Sequence, residues 1–206
     1  SLDRKTLPRC QCASLFRLSD IRKVVPVLRD AYTRELRPVE RAARDVVEQT
    51  GWHYSGIDTT PALWGEVSIG AAVEALIGAP FGTAGTLAAC RALTKAIRAV
   101  DVASTGYRGL FLPPLEDKVL ASRAYDYYGL NDLLFCSAVC GTGLDAVAIP
   151  GDTDLSQLRR ILTDVATLST HLRKPLTGRL IPVPGKQAGE SPGALGSLYP
   201  MKVLRV

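Results

Sequence analysis

A β–α–β pattern near the middle of the chain constrains the fold more than any other feature of the sequence. Two short apolar runs, 144–149 and 178–183, have the length and composition of buried strands. Between them, residues 155–172 carry a single apolar stripe at helical spacing, and Asp154 stands before the stretch as a natural N-cap. Strands joined through a helix pair in parallel. The pattern therefore predicts a parallel sheet whose faces are covered by helices.

The rest of the chain is predicted to be a helical segment over 1–50 followed by an α/β domain over 51–206. Residues 14–50 have apolar positions three and four apart, which is a helical period. Pro26 and Pro38 are expected to break this stretch into two or three helices. Further strands are predicted at 53–58, 106–112 and 201–206, which gives four or five in total, and helices at 67–77, 83–100, 115–127 and 131–140.

Composition excludes a membrane span and argues against nucleic-acid binding. No apolar run reaches the roughly 18 residues that a membrane helix needs. The formal charge of +5 is mild, Lys and Arg are interspersed with acids, and aromatic residues make up 6% of the chain. Nucleic-acid surfaces cluster basic and aromatic residues instead. Five irregularly spaced cysteines favour a reducing compartment, so we expect a cytoplasmic protein, or alternatively one of an organelle matrix.

Acidic residues and one lysine follow the predicted strands at the same end. Asp58 follows the first strand, and Glu116 and Asp117 follow the second. Asp152 and Lys186 follow the third and fourth. In parallel sheets, chemistry collects at the carboxyl ends of the strands. We therefore expect Asp58, Glu116 and Asp152 to lie around one concave site, although acids in solvated loops are the plain alternative.

These carboxylates leave two chemistries open. Asp58, Glu116 and Asp152 could act as general acid and base if burial separates their pKa values. They could instead bind a hard cation such as Mg²⁺ or Ca²⁺, for which Glu66 and Asp117 are further candidate ligands. The sequence does not choose between these alternatives, so the cofactor is left open.

Cys140 is a candidate nucleophile. It stands between a predicted helix and a Gly-Thr-Gly turn, where backbone N–H groups could stabilise a thiolate. The alternative is a buried cysteine that acts as a small hydrophobic residue. Cys136 lies one helical turn earlier, but the pair lacks the spacing of a structural zinc site and no second pair completes four ligands.

Two glycine–threonine turns and one lysine are predicted to hold a small anionic metabolite. The turn at 82–86 opens a helix, and the unpaired N–H groups and dipole at such an end attract anions. The turn at 141–143 is interpreted in the same way, with close packing through small residues as the alternative. Lys186, in a Pro-Gly-Lys loop, would pair with a carboxylate or phosphate. The predicted substrate-binding residues are Gly82, Thr83, Gly85, Thr86, Gly141, Thr142 and Gly143.

Seven short blocks of sequence carry a family resemblance. They are GIDTTP at 56–61, GEVSIG at 65–70, FGTAGT at 81–86, GLFLPPLED at 109–117, CGTGLD at 140–145, PGDT at 150–153 and PVPGK at 182–186. In this order they resemble the domain of unknown function 711 family over about residues 50–206.

The resemblance implies a fold similar to the ten-stranded α/β barrel of pyruvate formate-lyase-like glycyl radical enzymes. Family members are roughly twice as long as this chain, and the resemblance is to their C-terminal half. It therefore implies a half-barrel that pairs with an N-terminal half or a homologous subunit, through an interface larger than roughly 1,600 Å². The Arg-Val-x-Gly-aromatic run of a glycyl radical is absent from the sequence, so radical chemistry is not implied.

Two functions follow as expectations. The first is an enzyme-like subunit that acts on a small anionic metabolite, by carboxylate acid–base chemistry or with a divalent metal. The second is a non-catalytic structural subunit that retains the fold within a larger complex. Intact candidate residues favour the enzyme, and the short chain favours the structural subunit.

Overall fold

The computed structural model describes residues 21–63, 67–193 and 200–206. Over these residues the fold is mixed α/β, with six helices and a two-stranded parallel sheet. Within the same ranges, the helices are all too short or too polar to cross a membrane. In chain order the elements are α1 (Ile21–Thr50), α2 (Ile69–Ile77), α3 (Thr86–Arg98), α4 (Lys118–Arg123), α5 (Leu130–Cys140), β1 (Gly143–Pro150), α6 (Leu155–Leu172) and β2 (Thr177–Val183).

The predicted β–α–β unit is confirmed. Strands β1 and β2 pair in parallel, with a register that runs from Gly143 opposite Thr177 to Pro150 opposite Val183. Helix α6 connects them, and Asp154 caps its first turn by accepting a backbone hydrogen bond. The local pattern succeeds here because helix period, N-cap and flanking apolar runs all indicate the same unit.

The hydrophobic core is built around β1. Seven of its eight residues are buried, and Asp145 is half-buried. A second part of the core holds Phe81 and Tyr128, whose rings meet edge to face with centroids 5.2 Å apart. Strand β2 is more exposed, and only Val183 among its residues is buried. Strand β1 is therefore the interior strand, and β2 lies towards solvent.

Two predicted strands, 53–58 and 106–112, are irregular chain. One isolated parallel bridge, between Ile57 and Ser104, joins the first segment to the chain just before the second. Arg108 has a φ of 49°, a left-handed conformation that a regular strand does not contain. Short apolar runs do not by themselves separate a strand from a buried loop, which is why the prediction was wrong here.

The C-terminal tail lies beside β1 without forming a strand. The amide of Leu204 donates to the carbonyl of Ala148, at 3.0 Å, and the amide of Val203 donates to the carbonyl of Glu190, at 2.8 Å. The first bond holds the tail against β1 and the second holds it against the loop after β2, but the predicted strand at 201–206 does not form. Across the described residues, two strands therefore stand where four or five were expected.

Helix α1 is one helix of 30 residues, where two or three were predicted. Pro26 and Pro38 both lie inside it without ending it. A proline removes one backbone hydrogen bond and crowds the preceding turn, but the remaining bonds of a long helix can continue on either side. Val24 of α1 is buried, and the helix packs along α3.

The four predicted helices between residues 67 and 140 are present with shifted ends. Helix α2 ends at Ile77, and its C-cap is Gly78, whose left-handed φ of 68° suits glycine. Helix α3 begins at Thr86 rather than at residue 83, because the residues before it form turns. Helix α4 has six residues, fewer than half of the predicted stretch.

Candidate functional site

The carboxylate of Asp58 joins two separate turns of the chain. It accepts four hydrogen bonds: from the amide and hydroxyl of Thr60 at 3.0 and 2.6 Å, and from the amides of Tyr107 and Arg108 at 3.0 and 3.1 Å. Partial burial opposes ionisation, but these bonds outweigh it and lower the pKa of Asp58. At Gly106 (φ 74°) a Cβ would lie 2.3 Å from Oδ2 of Asp58, so this turn needs glycine.

Three cations converge beside this carboxylate, at the C-terminal ends of α3 and α5. Arg98 donates to the carbonyls of Arg108 and Cys140, at 3.1 and 3.2 Å, and Arg108 donates back to the carbonyl of Arg98 at 2.8 Å. Lys174 donates from Nζ to the carbonyl of Gly141. The last carbonyls of a helix lack partners within it and carry partial negative charge, so they attract cations. We call Arg98, Arg108 and Lys174 the cation cluster.

The members of the cation cluster are close enough to repel one another. A Cβ at Gly141 would lie 2.8 Å from Nη2 of Arg98 and 3.5 Å from Nζ of Lys174. Burial lowers the pKa of Lys174, and the positive charges of Arg98 and Arg108 lower it further. Partial desolvation also lowers the pKa of Arg98, although this residue is exposed overall. The cluster therefore carries excess positive charge in a partly desolvated place.

Arg108 also carries a donor that the described residues leave unused. Its Nε is buried and has no hydrogen-bond partner among them. Buried donors without a partner are uncommon and each costs about 1–3 kcal/mol. An acceptor supplied by a ligand would satisfy this group.

An aromatic side chain borders the cation cluster. Nζ of Lys174 lies 5.5 Å from the ring centroid of Tyr107, within the range of a cation–π contact. Tyr107 in turn packs edge to face on Phe111, with centroids 4.9 Å apart. The aromatic pair gives the lysine a fixed, partly apolar wall, which favours its desolvation.

Cys140 lies buried next to the cluster. Its Sγ is 3.1 Å from Oγ1 of Thr142, whose hydroxyl donates to the carbonyl of Leu110. Burial raises the pKa of the Cys140 thiol. Cys136 and Cys90 are buried too, and all three are free thiols. The geometry favours the small buried residue over the predicted nucleophile, because a protonated, enclosed thiol is a poor attacking group.

The turn at Gly141–Thr142–Gly143 offers carbonyls where N–H groups were expected. Gly141 ends α5 in a left-handed conformation, with a φ of 65°. At Gly143 (φ 93°) a Cβ would lie 2.2 Å from the carbonyl oxygen of Thr177, so the chain passes very close to the start of β2. The turn therefore uses a carbonyl to bind a cationic side chain, that of Lys174, instead of using its amides to bind an anion.

The turn from Gly82 to Thr86 uses its polar groups internally. The amide of Gly82 donates to Oγ1 of Thr86 at 3.1 Å, and the hydroxyl of Thr83 donates to the carbonyl of Pro80 at 2.7 Å. Gly85 is the N-cap of α3, with a φ of 101°. This turn lies at the opposite end of α3 from the cation cluster, a separation of about 20 Å for a helix of this length. The close-packing alternative fits it best.

Asp152 and Lys186 lie at the carboxyl end of the sheet. The loops that carry them are joined by a hydrogen bond from the amide of Gly151 to the carbonyl of Lys186, at 3.1 Å, and Gln187 donates to Asp152 at 2.8 Å. Strand β1, about 26 Å long, separates them from the cation cluster at its amino end. Asp58 and Asp152 are not brought together, because the segment before Asp58 is not a strand of this sheet.

Glu116 and Asp117 both have protein partners. Exposed Glu116 pairs with Arg179 of β2 at 2.8 Å, and the same arginine pairs with Asp145 of β1 at 2.7 Å. Asp117 is fully buried and accepts five hydrogen bonds from Ser68 and from the first turns of α2 and α4. It therefore caps two helices at once. Glu66 lies outside the described residues.

The metal alternative has no ligand group in the described part of the chain. There, no three His, Cys, Asp or Glu side chains lie together in a way that could hold a metal ion. Asp117, one of the two further candidates, has its carboxylate occupied by N–H and O–H donors. The candidate site is therefore defined by cations.

The cation cluster was not predicted from the sequence. Arg98 is the last residue of α3, and Lys174 stands just after the C-cap of α6, at helix ends where basic residues are common. Nothing in their spacing connects them, because they are 76 positions apart. Asp58, Cys140, Gly141 and Thr142 were predicted, and the structure does bring these four together. A search for basic residues beside glycine turns could have found Arg108, between Gly106 and Gly109, but neither Arg98 nor Lys174.

The chain matches one known family over most of its length. It belongs to the family described as Uncharacterised ACR (DUF711), which it matches over residues 8–192. The match begins well before residue 50, so it includes the helical segment that the resemblance over 50–206 left out. No solved structure has a significant match to the chain.

Curated relatives are UPF0210 proteins of archaea and bacteria. The UPF0210 protein of Pyrobaculum arsenaticum is 35% identical over 188 residues, which is 88% of this chain and 42% of the relative. That of Methanopyrus kandleri is 31% identical over 204 residues, 89% of this chain and 45% of the relative. That of Syntrophobacter fumaroxidans is 31% identical over 194 residues, 91% and 42% respectively. The chain thus spans less than half the length of these relatives.

Proposed function

We propose that this chain supplies an anion-binding site to an enzyme that acts on a small anionic metabolite. The observation that carries the proposal is the cation cluster with its unsatisfied Arg108 Nε. A carboxylate or phosphate oxygen there would accept the Arg108 donor and offset the repulsion between Arg98 and Lys174. Charge-assisted hydrogen bonds of this kind are about twice as strong as neutral ones.

Lys174 is the proton-transfer group in this proposal. Its lowered pKa raises the neutral fraction above that of an exposed lysine, and such a shift is common among catalytic amines. Asp58 stays ionised and positions Tyr107 and Arg108 through their amides. The chemistry we propose is therefore acid–base chemistry by an amine, next to a carboxylate that shapes the site.

The proposal is tested by isothermal titration of the purified chain with inorganic phosphate and with succinate, which separates phosphate from carboxylate ligands. Lys174→Gln should weaken binding about tenfold, equivalent to about 1.4 kcal/mol. Lys186→Gln, at the other end of the sheet, is the matched control and should bind as the unchanged chain does. Equal weakening by both variants, or no binding of either anion, would contradict the proposal.

We further propose that the sheet continues in the full-length protein as half of a ten-stranded barrel, closed by an N-terminal half or a homologous subunit. Two observations support this. Within the described residues β2 pairs only with β1, and a two-stranded sheet is marginal alone. The chain also spans 42% of the Pyrobaculum arsenaticum relative. A stable 22.1 kDa monomer with a cooperative melt, by light scattering and calorimetry, would contradict it.

A non-catalytic structural subunit is the second candidate function. The burial of Cys140 and the capping role of Asp117 favour it, because both residues are explained by stability alone. The titration separates the two candidates: a structural subunit should bind neither anion at Lys174. For either function we propose a reducing compartment, the cytoplasm or an organelle matrix, since the described cysteines are free thiols.

A further inference from the structure

A second basic surface lies between α1 and the end of α3. It is an open groove of about 700 Å³, within the range of small-molecule sites. None of the three cations of the cluster lines it, so it is a separate surface. We call it the arginine groove. Its lining residues are Arg29, Asp30, Thr33, Arg34, Arg37, Pro38, Arg41, Ala99 and Asp101.

The arginines of the groove form a row along one helix. Arg34, Arg37 and Arg41 are three and four residues apart, which puts them on the same face of α1. From Arg34 to Arg41 the row spans about 10 Å.

Two hydrogen bonds fix the wall opposite the row. Oγ1 of Thr33 accepts the amide of Asp101 at 3.1 Å, and the carboxylate of Glu40 accepts the amide of Ala103 at 3.0 Å. Because both bonds join α1 to the chain after α3, the groove is held open by its own architecture.

The groove has more positive than negative charge. Its two acids are each engaged by an arginine, Asp30 by Arg29 and Asp101 by Arg37. Arg41 has no ion pair among the described residues. The pair of Arg37 and Asp101 is exposed, at 59% and 76% of the two side chains, and exposed pairs contribute at most about 1 kcal/mol. A stronger anion can therefore displace Asp101 at little cost.

We propose that the arginine groove binds a small molecule with two or more linked phosphate groups. Guanidinium groups bind phosphate oxygens in a two-pronged geometry that suits them better than lysine. A row of arginines about one helical turn apart can contact successive phosphates of one ligand, which a single phosphate cannot match. No aromatic side chain is among the lining residues, so recognition rests on the phosphates themselves.

The test is isothermal titration of the 206-residue chain with inorganic pyrophosphate and with orthophosphate, at about 0.15 M salt to suppress diffuse attraction. Pyrophosphate should bind at least tenfold more tightly than orthophosphate. The double variant Arg37→Gln/Arg41→Gln should lose at least tenfold in pyrophosphate affinity, because two of the row's guanidinium groups are removed. The matched control is Arg44→Gln on the same helix, since Arg44 pairs with Glu40 and stacks over Tyr54 outside the groove.

The controls keep the groove distinct from the cation cluster. Arg44→Gln should bind pyrophosphate as the unchanged chain does. Because the cation cluster is itself proposed to bind phosphate, both titrations are repeated in the Lys174→Gln background, where the preference for pyrophosphate over orthophosphate should remain. Circular dichroism confirms that each variant is folded, and Arg41→Gln alone replaces the double variant if that one is not. Equal affinity for the two phosphates, undiminished pyrophosphate binding by the groove variant, or loss of the pyrophosphate preference in the Lys174→Gln background would each overturn the proposal.

Discussion

The two ends of the small parallel sheet differ in how their charged residues are placed. At the amino end, the three residues of the cation cluster lie up to 76 positions apart in the sequence, and each donates to a backbone carbonyl. At the carboxyl end, Asp152 and Lys186 belong to two loops that touch, and exposed Asp152 accepts a hydrogen bond from Gln187.

This difference shows that charge type alone does not identify a site. The general rule places chemistry at the carboxyl ends of parallel strands, and the carboxyl end here has both an acid and an amine. Yet the amino end has the shifted pKa values, the unsatisfied donor and the aromatic wall. Desolvation and mutual repulsion are what separate a reactive set of groups from a solvated one.

The largest expected difference between the two ends is in the stability that is lost when a glycine is replaced by alanine. Gly143→Ala should destabilise the chain by about 3 kcal/mol or more, because its Cβ would meet the Thr177 carbonyl and its φ is left-handed. At Gly185, after β2, an added Cβ would have open space around it. Gly185→Ala should therefore lower stability by only about 1 kcal/mol, from the strain of a φ of 69°. Urea unfolding of both variants measures this. Similar losses would mean that the turn before β1 is looser than described.

The next difference is in the pH dependence of anion binding. The folded pKa of Lys174 lies below 10.5, so its charge, and the attraction it provides, is lost as pH rises through that folded value. Succinate affinity should therefore fall up to about tenfold between neutral pH and pH 10. Titrations at several pH values give the curve. In Lys174→Gln the succinate affinity should no longer depend on pH over this range. If the pH dependence remains in this variant, another group causes it.

The smallest expected difference is in the stability contributed by the two aspartates. Asp58→Asn should cost about 1 kcal/mol at neutral pH, since an amide replaces one acceptor oxygen of an exposed, solvent-screened carboxylate. Asp152→Asn should change stability by less than about 0.5 kcal/mol.

The loss of stability at acid pH separates the contributions of the two aspartates further. Because the folded pKa of Asp58 lies below the ordinary 3.8, its contribution is present above that pH and is lost as pH falls through the folded value. Asp58→Asn should remove this part of the acid dependence of unfolding. If the stability of Asp58→Asn falls with acid pH as that of the unchanged chain does, other carboxylates cause the dependence.

The β–α–β unit was predictable because its evidence is local. The apolar stripe of α6, the cap at Asp154 and the two flanking runs all lie within 40 consecutive residues. The segments 53–58 and 106–112 failed because their apolar runs lack any such support. The turns at Gly106 and Arg108 depend on a carboxylate about 50 positions away, and that contact is invisible to a local pattern.

The candidate site was half predictable for the same reason. Asp58 and the Gly141–Gly143 turn could be predicted, because a carboxylate after a predicted strand and a Gly-Thr-Gly turn are visible in the local sequence. Arg98, Arg108 and Lys174 have no motif of their own, because their role comes from the carbonyls that the folded helices present to them. The turns can therefore be recognised in the sequence, whereas the three cations can be assigned to the site only from the folded structure.

The most direct test of the central claim is the NMR signal of the Arg108 Nε–H during titration with phosphate or succinate. The account predicts that this signal shifts in a saturable way, with the affinity found by calorimetry, because the anion gives this buried donor its missing acceptor. Lys174→Gln should weaken the effect, and Lys186→Gln should not. An Arg108 signal that stays fixed while the loops around Lys186 shift would contradict the claim and move the site to the carboxyl end of the sheet.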